Sequence, residues 1–184
     1  IHSNGFHFEL PKSDAETGLG YIVPVWDETD SVIGTPMETT IVLPLKPRIA
    51  PETVTTALRD IAPETILFLS KLRTIEIEVD LPGESYEIVI EKDDSRAPLV
   101  DLTHLKRQQS EEELETRRYW VAARQFEKPV DINQEKRQNV TTRTVSVAIP
   151  LDNGGENPGK LFAYLPIWER TGLPFLINAD FLLV

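Results

Sequence analysis

The sequence is poor in the residues that most often build metal and redox sites. It contains no cysteine and only three histidines, His2, His7 and His104. A disulfide framework, a thiolate nucleophile and cysteine-ligated zinc are therefore excluded. The histidines form no His-x-x-x-His pair, which would place two zinc ligands on one helical face, so we predict no structural zinc site.

The sequence also lacks the segments that direct a protein into a membrane. It has no signal peptide and no apolar run near 18 residues in length. The net charge is −11, with 30 acidic against 19 basic residues, which argues against a basic face for nucleic acid or anionic lipid. These absences predict a soluble, cytoplasmic protein with neither nucleic acid nor membrane as its partner.

Common motifs of nucleophilic catalysis and phosphate binding are absent as well. There is no Gly-x-Ser-x-Gly, no Gly-x-x-x-x-Gly-Lys-Ser/Thr and no Gly-x-Gly-x-x-Gly. The stretch from Asp152 to Gly155 is similar to an Asp-x-Gly-x-Gly box, but Glu156 stands at the fifth position. We interpret the stretch as a hairpin-type turn. A non-standard nucleotide site near Asp152 is the weaker alternative.

What the sequence does contain is a strong β pattern in a chain of 184 residues, 40% of them hydrophobic. The clearest strand is 74–81, where Ile75, Ile77 and Val79 alternate with acidic residues. Other predicted strands share β-branched or alternating apolar residues, and they cover 5–10, 21–26, 39–45, 86–92, 98–105, 139–151, 160–167 and 174–184.

The stretch 110–128 fits two structures. Ser110 and Glu113 form the pattern of a capping box and favour a helix. Tyr119, Val121 and Phe126 fit a strand that begins near residue 117. We favour the strand.

Two short helices are predicted after the first group of strands. Pro51 and Pro63 occupy first helical positions, and each is followed by an acid, Glu52 or Glu64, that suits a helix N-terminus. A domain boundary is predicted after the second helix, which gives domains of residues 1–72 and 73–184.

Five segments, taken in order, resemble the ATPase module of sacsin-like and NO VEIN-like proteins. These proteins belong to the GHKL superfamily, with gyrase B, the ninety-kilodalton heat-shock chaperone, histidine kinases and MutL-type repair proteins. The segments that carry the resemblance are "IHSNGFHFEL" (1–10), "GLGYIVPVW" (18–26), "TTIVLPLK" (39–46), "LFLSKLRTIEIE" (67–78) and "LPFLINADFLLV" (173–184).

The resemblance implies an α+β fold: the rear strands of a Bergerat-type α/β sandwich, followed by a β-rich, transducer-like middle domain. In this family an Asn-bearing helix binds magnesium, an Asp-x-Gly box binds adenine, and a glycine-rich lid covers the phosphates. All three precede the matched region. The resemblance therefore implies ATP and Mg²⁺ as cofactors of a longer parent ATPase, whereas this fragment would couple nucleotide binding to conformational change without itself hydrolysing ATP or requiring a cofactor.

One candidate cofactor-binding position follows from the resemblance. The family threonine that opens the final strand lies beside adenine, and it matches Thr39, with Thr40 as the neighbouring alternative. From the residues alone, both threonines equally fit ordinary positions of a buried strand, because β-branched residues favour strands. No catalytic residue and no metal ligand is predicted.

The second hypothesis is a non-enzymatic, β-rich protein-interaction module. It predicts a single closed core, formed by Phe6, Phe8, Ile41, Leu43, Phe175 and Ile177. A protein partner or self-association is expected, because an unpaired strand edge offers backbone donors and acceptors to another chain.

Overall fold

The computed structural model describes residues 2–3, 6–9, 25–26, 39–127, 141–152 and 159–180. Contacts between Cα atoms group the chain into two compact units, Ile1–Pro51 and Glu52–Val184. Residues 52–72 thus group with the second unit. The division into domains of residues 1–72 and 73–184 stays a prediction.

The first unit contains a sheet of four short strands in the order β3-β2-β1-β4. Their bounds are His2–Ser3 for β1, Phe6–Glu9 for β2, Val25–Trp26 for β3 and Thr39–Thr40 for β4. All pairs are antiparallel, and β4 pairs with β1 through the registers His2–Thr40 and Ser3–Thr39.

The prediction of a buried strand at 39–45 is wrong beyond the first two residues. The chain leaves the sheet after Thr40, and residues 41–50 are exposed. Leu43 is 79% exposed. Pro44 and Pro47 supply a physical reason, because proline has no backbone N–H to extend a ladder. Since Ile41 and Leu43 are both exposed, the single core proposed to include them is not observed.

The second unit begins with the two predicted helical elements, and both are present. Helix α1 covers Pro51–Arg59, with Glu52 in its first turn and Arg59 in its last, which complements the helix dipole. A 3₁₀ helix follows at Pro63–Ile66. The second element is shorter and tighter than an α-helix.

The rest of the second unit is an eight-stranded sheet. Its strands are β5 Thr74–Leu81, β6 Glu84–Asp93, β7 Leu99–Gln108, β8 Glu111–Glu127, β9 Thr142–Pro150, β10 Lys160–Ala163, β11 Leu165–Arg170 and β12 Leu176–Ala179. The order is β11-β10-β12-β9-β8-β7-β6-β5. Every pair is antiparallel except β10 and β12. The expectation of a β-rich protein is confirmed.

Two of the predicted strands differ in their bounds from the strands of the structure. Strand β8 begins at Glu111, so the stretch that fitted a capping box is extended. The single strand expected at 160–167 is divided at Tyr164, whose φ of 66° breaks the extended path and separates β10 from β11. The turn expected after Asp152 falls largely on residues 153–158, which lie outside the described residues.

One face of the eight-stranded sheet carries the core of the second unit. The alternation predicted for β5 is confirmed, because Ile77 and Val79 are buried while Glu76 and Glu78 are exposed. The largest fully buried side chains among the described residues are Ile66, Ile88, Ile90, Leu102, Tyr119, Phe162 and Leu176. In the described part of the chain, no helix has both the length and the apolar character needed to cross a membrane.

Candidate functional site

A pocket of about 610 Å³ lies within the second unit, beside the 3₁₀ helix. It is lined by residues from α1, the 3₁₀ helix, β7, β8, β10 and β11 and from the end of β9. Six basic side chains reach it: Arg59, Lys106, Arg117, Arg118, Lys160 and Arg170. The lining contains only four acids, Asp60, Glu64, Glu115 and Asp152, although acids outnumber bases in the whole chain.

Glu64 is the buried carboxylate of this pocket. It follows Pro63 in the first turn of the 3₁₀ helix and is 5% exposed. One carboxylate oxygen, Oε1, accepts a hydrogen bond from the Tyr119 hydroxyl at 2.8 Å and another from Arg117 Nη1 at 2.7 Å. Burial alone would raise the pKa of Glu64, but these donors outweigh it and hold the pKa below its ordinary value. Glu64 is therefore ionised at neutral pH.

Arg117 joins Glu64 to a second carboxylate. Its Nε donates to Glu115 Oε1 at 2.7 Å, and the bonds to Glu115 and Glu64 raise the pKa of its guanidinium. Burial, with the nearby charge of Glu64, raises the pKa of Tyr119. Tyr119 thus stays a neutral donor, and Glu64, Arg117, Glu115 and Tyr119 form one hydrogen-bonded network.

Helix α1 is tied to the same sheet by a second polar set. The Tyr86 hydroxyl donates to the Thr55 carbonyl at 2.6 Å, and Thr55 Oγ1 donates to Glu84 at 3.2 Å. Arg59 forms an ion pair with Glu84 and lies 4.7 Å from the centre of the Tyr86 ring. These contacts connect α1 to the β5–β6 end of the sheet.

A buried lysine holds the residues that follow the 3₁₀ helix against the sheet. Lys92 is 7% exposed, and its Nζ donates to the carbonyl of Leu69. Burial lowers the pKa of Lys92. The Phe68 ring packs against Phe162 with ring centres 5.0 Å apart. Residues 52–69, which we call the helical segment, are thus held by both polar and apolar contacts.

His104 is a buried polar residue, and one of its two ring nitrogens has no hydrogen-bond partner among the described residues. It lies on β7, is 8% exposed and lines the pocket. Its Nε2 makes no hydrogen bond with any described residue. Burial, and then the charge of Lys106, lowers the pKa of His104, so the imidazole is neutral at neutral pH. An unpartnered buried donor or acceptor costs about 1–3 kcal/mol.

The basic side chains of the pocket fall into two groups. Arg59, Arg117 and Arg118 each pair with a carboxylate. The other three form neither an ion pair nor a side-chain hydrogen bond with the described residues, and they are Lys106, Lys160 and Arg170. The pocket can therefore offer free positive charge to an anion.

The candidate cofactor residues predicted from the sequence lie elsewhere in the chain. Thr39 and Thr40 belong to β4 of the first unit, where Thr39 is exposed and Thr40 half-buried. Their proposed place beside adenine stays a prediction. Asp152 does line the pocket, and its Oδ2 accepts the backbone N–H of Arg118 at 2.5 Å. No group of three or more acids or histidines is placed to hold a metal among the residues described.

Sequence patterns do not predict the set of residues that forms the pocket. The position of Glu64 after Pro63 predicts an acid at a helix N-terminus, but its partners Arg117 and Tyr119 are more than 50 positions away. Lys160 and Arg170 become neighbours only through the register of β10 and β11. Compared with family models, curated proteins and solved structures, the chain shows no significant match.

Proposed function

We propose that this chain is part of a GHKL-type ATPase and couples nucleotide binding to conformational change. In this proposal, residues 1–72 form the rear of a Bergerat-type ATP-binding domain, with Thr39 or Thr40 beside adenine. Residues 73–184 form the transducer-like middle domain. The parent protein uses ATP and Mg²⁺, and this part of it does not hydrolyse ATP.

The observation that supports coupling is the attachment of the helical segment to the eight-stranded sheet. Residues 52–69 are the last part of the proposed ATP-binding domain, and in sequence they lie between the strand that carries Thr39 and Thr40 and the first strand of the eight-stranded sheet. They are bonded to β6 through Tyr86 and Lys92 and to β8 through Arg117 and Tyr119. A segment held at several points along its length is suited to transmit a displacement to the sheet, because packed elements move together.

The test compares two proteins: the 184-residue chain and the complete protein encoded by its gene. We expect the complete protein to contain an Asn-bearing helix and an Asp-x-Gly box before the region of Ile1, to bind ATP with Mg²⁺ and to hydrolyse it. We expect the 184-residue chain to show no turnover. A complete protein without these motifs and without ATP turnover would refute the proposal.

A second candidate function, a self-associating interaction module, is favoured by strand β11. In the described part of the sheet β11 is one edge and β5 the other. Exposed acids of β5, such as Glu76, disfavour the approach of another strand. On β11, by contrast, Trp168 is fully exposed and Leu165 is 55% exposed. The occupant we propose is β11 of a second copy, paired around a two-fold axis.

Sedimentation of the 184-residue chain tests this second function. The wild type should form a dimer, and Trp168→Ser should shift it to monomer without changing stability by more than about 0.5 kcal/mol. Leu72→Ser, which changes an exposed apolar side chain outside β11, is the matched control and should leave the dimer intact. A wild type that remains monomeric at high concentration refutes self-association.

A further inference from the structure

The pocket beside the 3₁₀ helix reverses the charge balance of the rest of the protein. Its lining has six basic and four acidic side chains, whereas the chain has 19 basic and 30 acidic residues. Two of the four acids, Glu64 and Glu115, already pair with Arg117. Arg59 and Arg118 pair with Glu84 and Asp101 outside the lining. Three cations without a carboxylate partner among the described residues therefore face two remaining acids, so the lining keeps a small excess of positive charge on an acidic protein.

Two of the free cations are placed directly against each other. Lys160 and Arg170 are register partners across the antiparallel pair β10–β11. Like charges at directly opposed positions of two strands are destabilising. Neither side chain has a carboxylate partner among the described residues that would relieve the repulsion. An anion bound between the two would do so.

The other side of the pocket contains a buried histidine that lacks a hydrogen-bond partner among the described residues. His104 is buried, lines the pocket and leaves Nε2 without a hydrogen bond to any described residue. Lys106, also in the lining, lies two residues further along β7. Because β7 and β10 are separated by β8, β9 and β12 in the sheet, one small ion would not reach both sets of cations.

The size and lining of the pocket narrow the class of ligand. A volume of about 610 Å³ falls within the range of roughly 300–1,000 Å³ typical of small-molecule sites. Ammonium and guanidinium groups are the usual donors to phosphate oxygens. Apolar wall is supplied by Ile61, Pro63 and Pro150, against which an uncharged part of a ligand can pack.

We propose that this pocket binds a small phosphorylated molecule, with a phosphate held between Lys160 and Arg170 and a second acceptor group held by His104 and Lys106. The ligand relieves the repulsion across β10–β11 and satisfies the buried imidazole. This site does not depend on the ATPase assignment, because all of its residues belong to the second unit.

The first experiment measures binding to the 184-residue chain by calorimetry and by thermal shift. The probes are inorganic pyrophosphate, inorganic phosphate and ADP without magnesium, each compared with sodium chloride at equal ionic strength. ADP should bind most tightly and raise the melting temperature, because it is the one probe long enough to reach both sets of cations. Pyrophosphate and phosphate should bind about tenfold more weakly, since each reaches only one set. No shift with any probe at ~10 mM would overturn the proposal. Equal affinity for phosphate and ADP would overturn the two-ended site.

Variants separate binding from a structural role. Lys160→Gln and Arg170→Gln should each weaken pyrophosphate binding about tenfold or more, because a charge-assisted contact is lost. In the absence of ligand, both variants should melt at or above the wild-type temperature, because a repulsion is removed. Lys71→Gln and Arg124→Gln, exposed and outside the pocket lining, are the matched controls and should bind normally. A lower melting temperature with unchanged binding would refute the assignment.

The role of His104 is tested by nuclear magnetic resonance. The imidazole Nε2 signal of His104 should shift on addition of ADP, while the signals of His2 and His7 stay in place. His104→Gln, which keeps a side-chain donor, should retain more affinity than His104→Leu. An unchanged His104 signal at saturating ADP would show that the imidazole does not hold the ligand.

Discussion

The contribution of Glu64 to stability can be derived from its contacts. Its side chain is 7% exposed, and it accepts hydrogen bonds from Tyr119 at 2.8 Å and Arg117 at 2.7 Å. A hydrogen bond to a charged group contributes about 1.5–3 kcal/mol. Because Arg117 is 41% exposed, solvent screening places its bond at the low end. Glu64→Gln keeps the shape and one acceptor, so we expect a loss of about 2 kcal/mol.

Urea denaturation of the 184-residue chain measures this loss. With a urea dependence of about 2 kcal/mol per molar, the midpoint should fall by about 1 M. Glu76→Gln, which changes an exposed glutamate of β5, is the matched control and should leave the midpoint in place. A double-mutant cycle of Glu64→Gln with Tyr119→Phe should give a coupling energy of about 1 kcal/mol.

The pH dependence gives the sign of the effect independently. The folded-state pKa of Glu64 lies below its ordinary value of 4.5, so the ionised carboxylate contributes stability above that pH. The contribution is lost as pH falls through the folded-state pKa. The difference between wild type and Glu64→Gln should therefore be constant from about pH 6 to 8 and shrink below about pH 4.5. A difference under about 0.5 kcal/mol at pH 7, or one that persists at low pH, would refute the reasoning.

Three further changes test the packing of the second unit. Tyr86→Phe removes the hydroxyl bonded to the Thr55 carbonyl and should cost about 1–2 kcal/mol in urea denaturation, with faster amide exchange in α1; unchanged exchange would contradict this anchor. Phe162→Ala removes a fully buried ring and should cost about 3–5 kcal/mol; a loss below about 1 kcal/mol would contradict the core assignment. Gly159→Ala would place a Cβ 2.5 Å from the carbonyl oxygen of Phe175, so thermal denaturation should show marked destabilisation, and a wild-type melting temperature would contradict the close approach.

The sequence predicts elements whose local pattern matches their burial. Strand β5 is the clearest example, because Ile77 and Val79 lie on one face and acids on the other. The start of strand β8 is harder to predict than β5, because residues 111–116 are exposed on both faces of the strand and show no alternation. For residues 41–45 the local pattern predicts the wrong burial. Its apolar residues suggest burial, but Pro44 limits pairing and the segment is exposed.

Local sequence patterns cannot predict the pocket. Glu64 and Arg117 are separated by 53 positions and meet only because the 3₁₀ helix packs on β8. The pairing of Lys160 with Arg170 depends on a register that shifts within β10. The glycines that follow Asp152 suggest a nucleotide site only as the weaker alternative to a turn. In the structure, Asp152 lines the pocket and accepts a hydrogen bond from the Arg118 backbone. Long-range pairing and register, rather than residue type, determine this site.

Hydrogen exchange in the complete protein tests the proposed coupling most directly. Amide exchange of residues 63–69 and of β8 is measured with and without a non-hydrolysable ATP analogue and Mg²⁺, in wild type and in Glu64→Gln. The account predicts that the analogue slows exchange in both regions of the wild type. In Glu64→Gln the analogue should bind with the same affinity, yet the slowing in β8 should be lost. Equal slowing of β8 exchange in both proteins, or none in the wild type despite bound analogue, would contradict the coupling role.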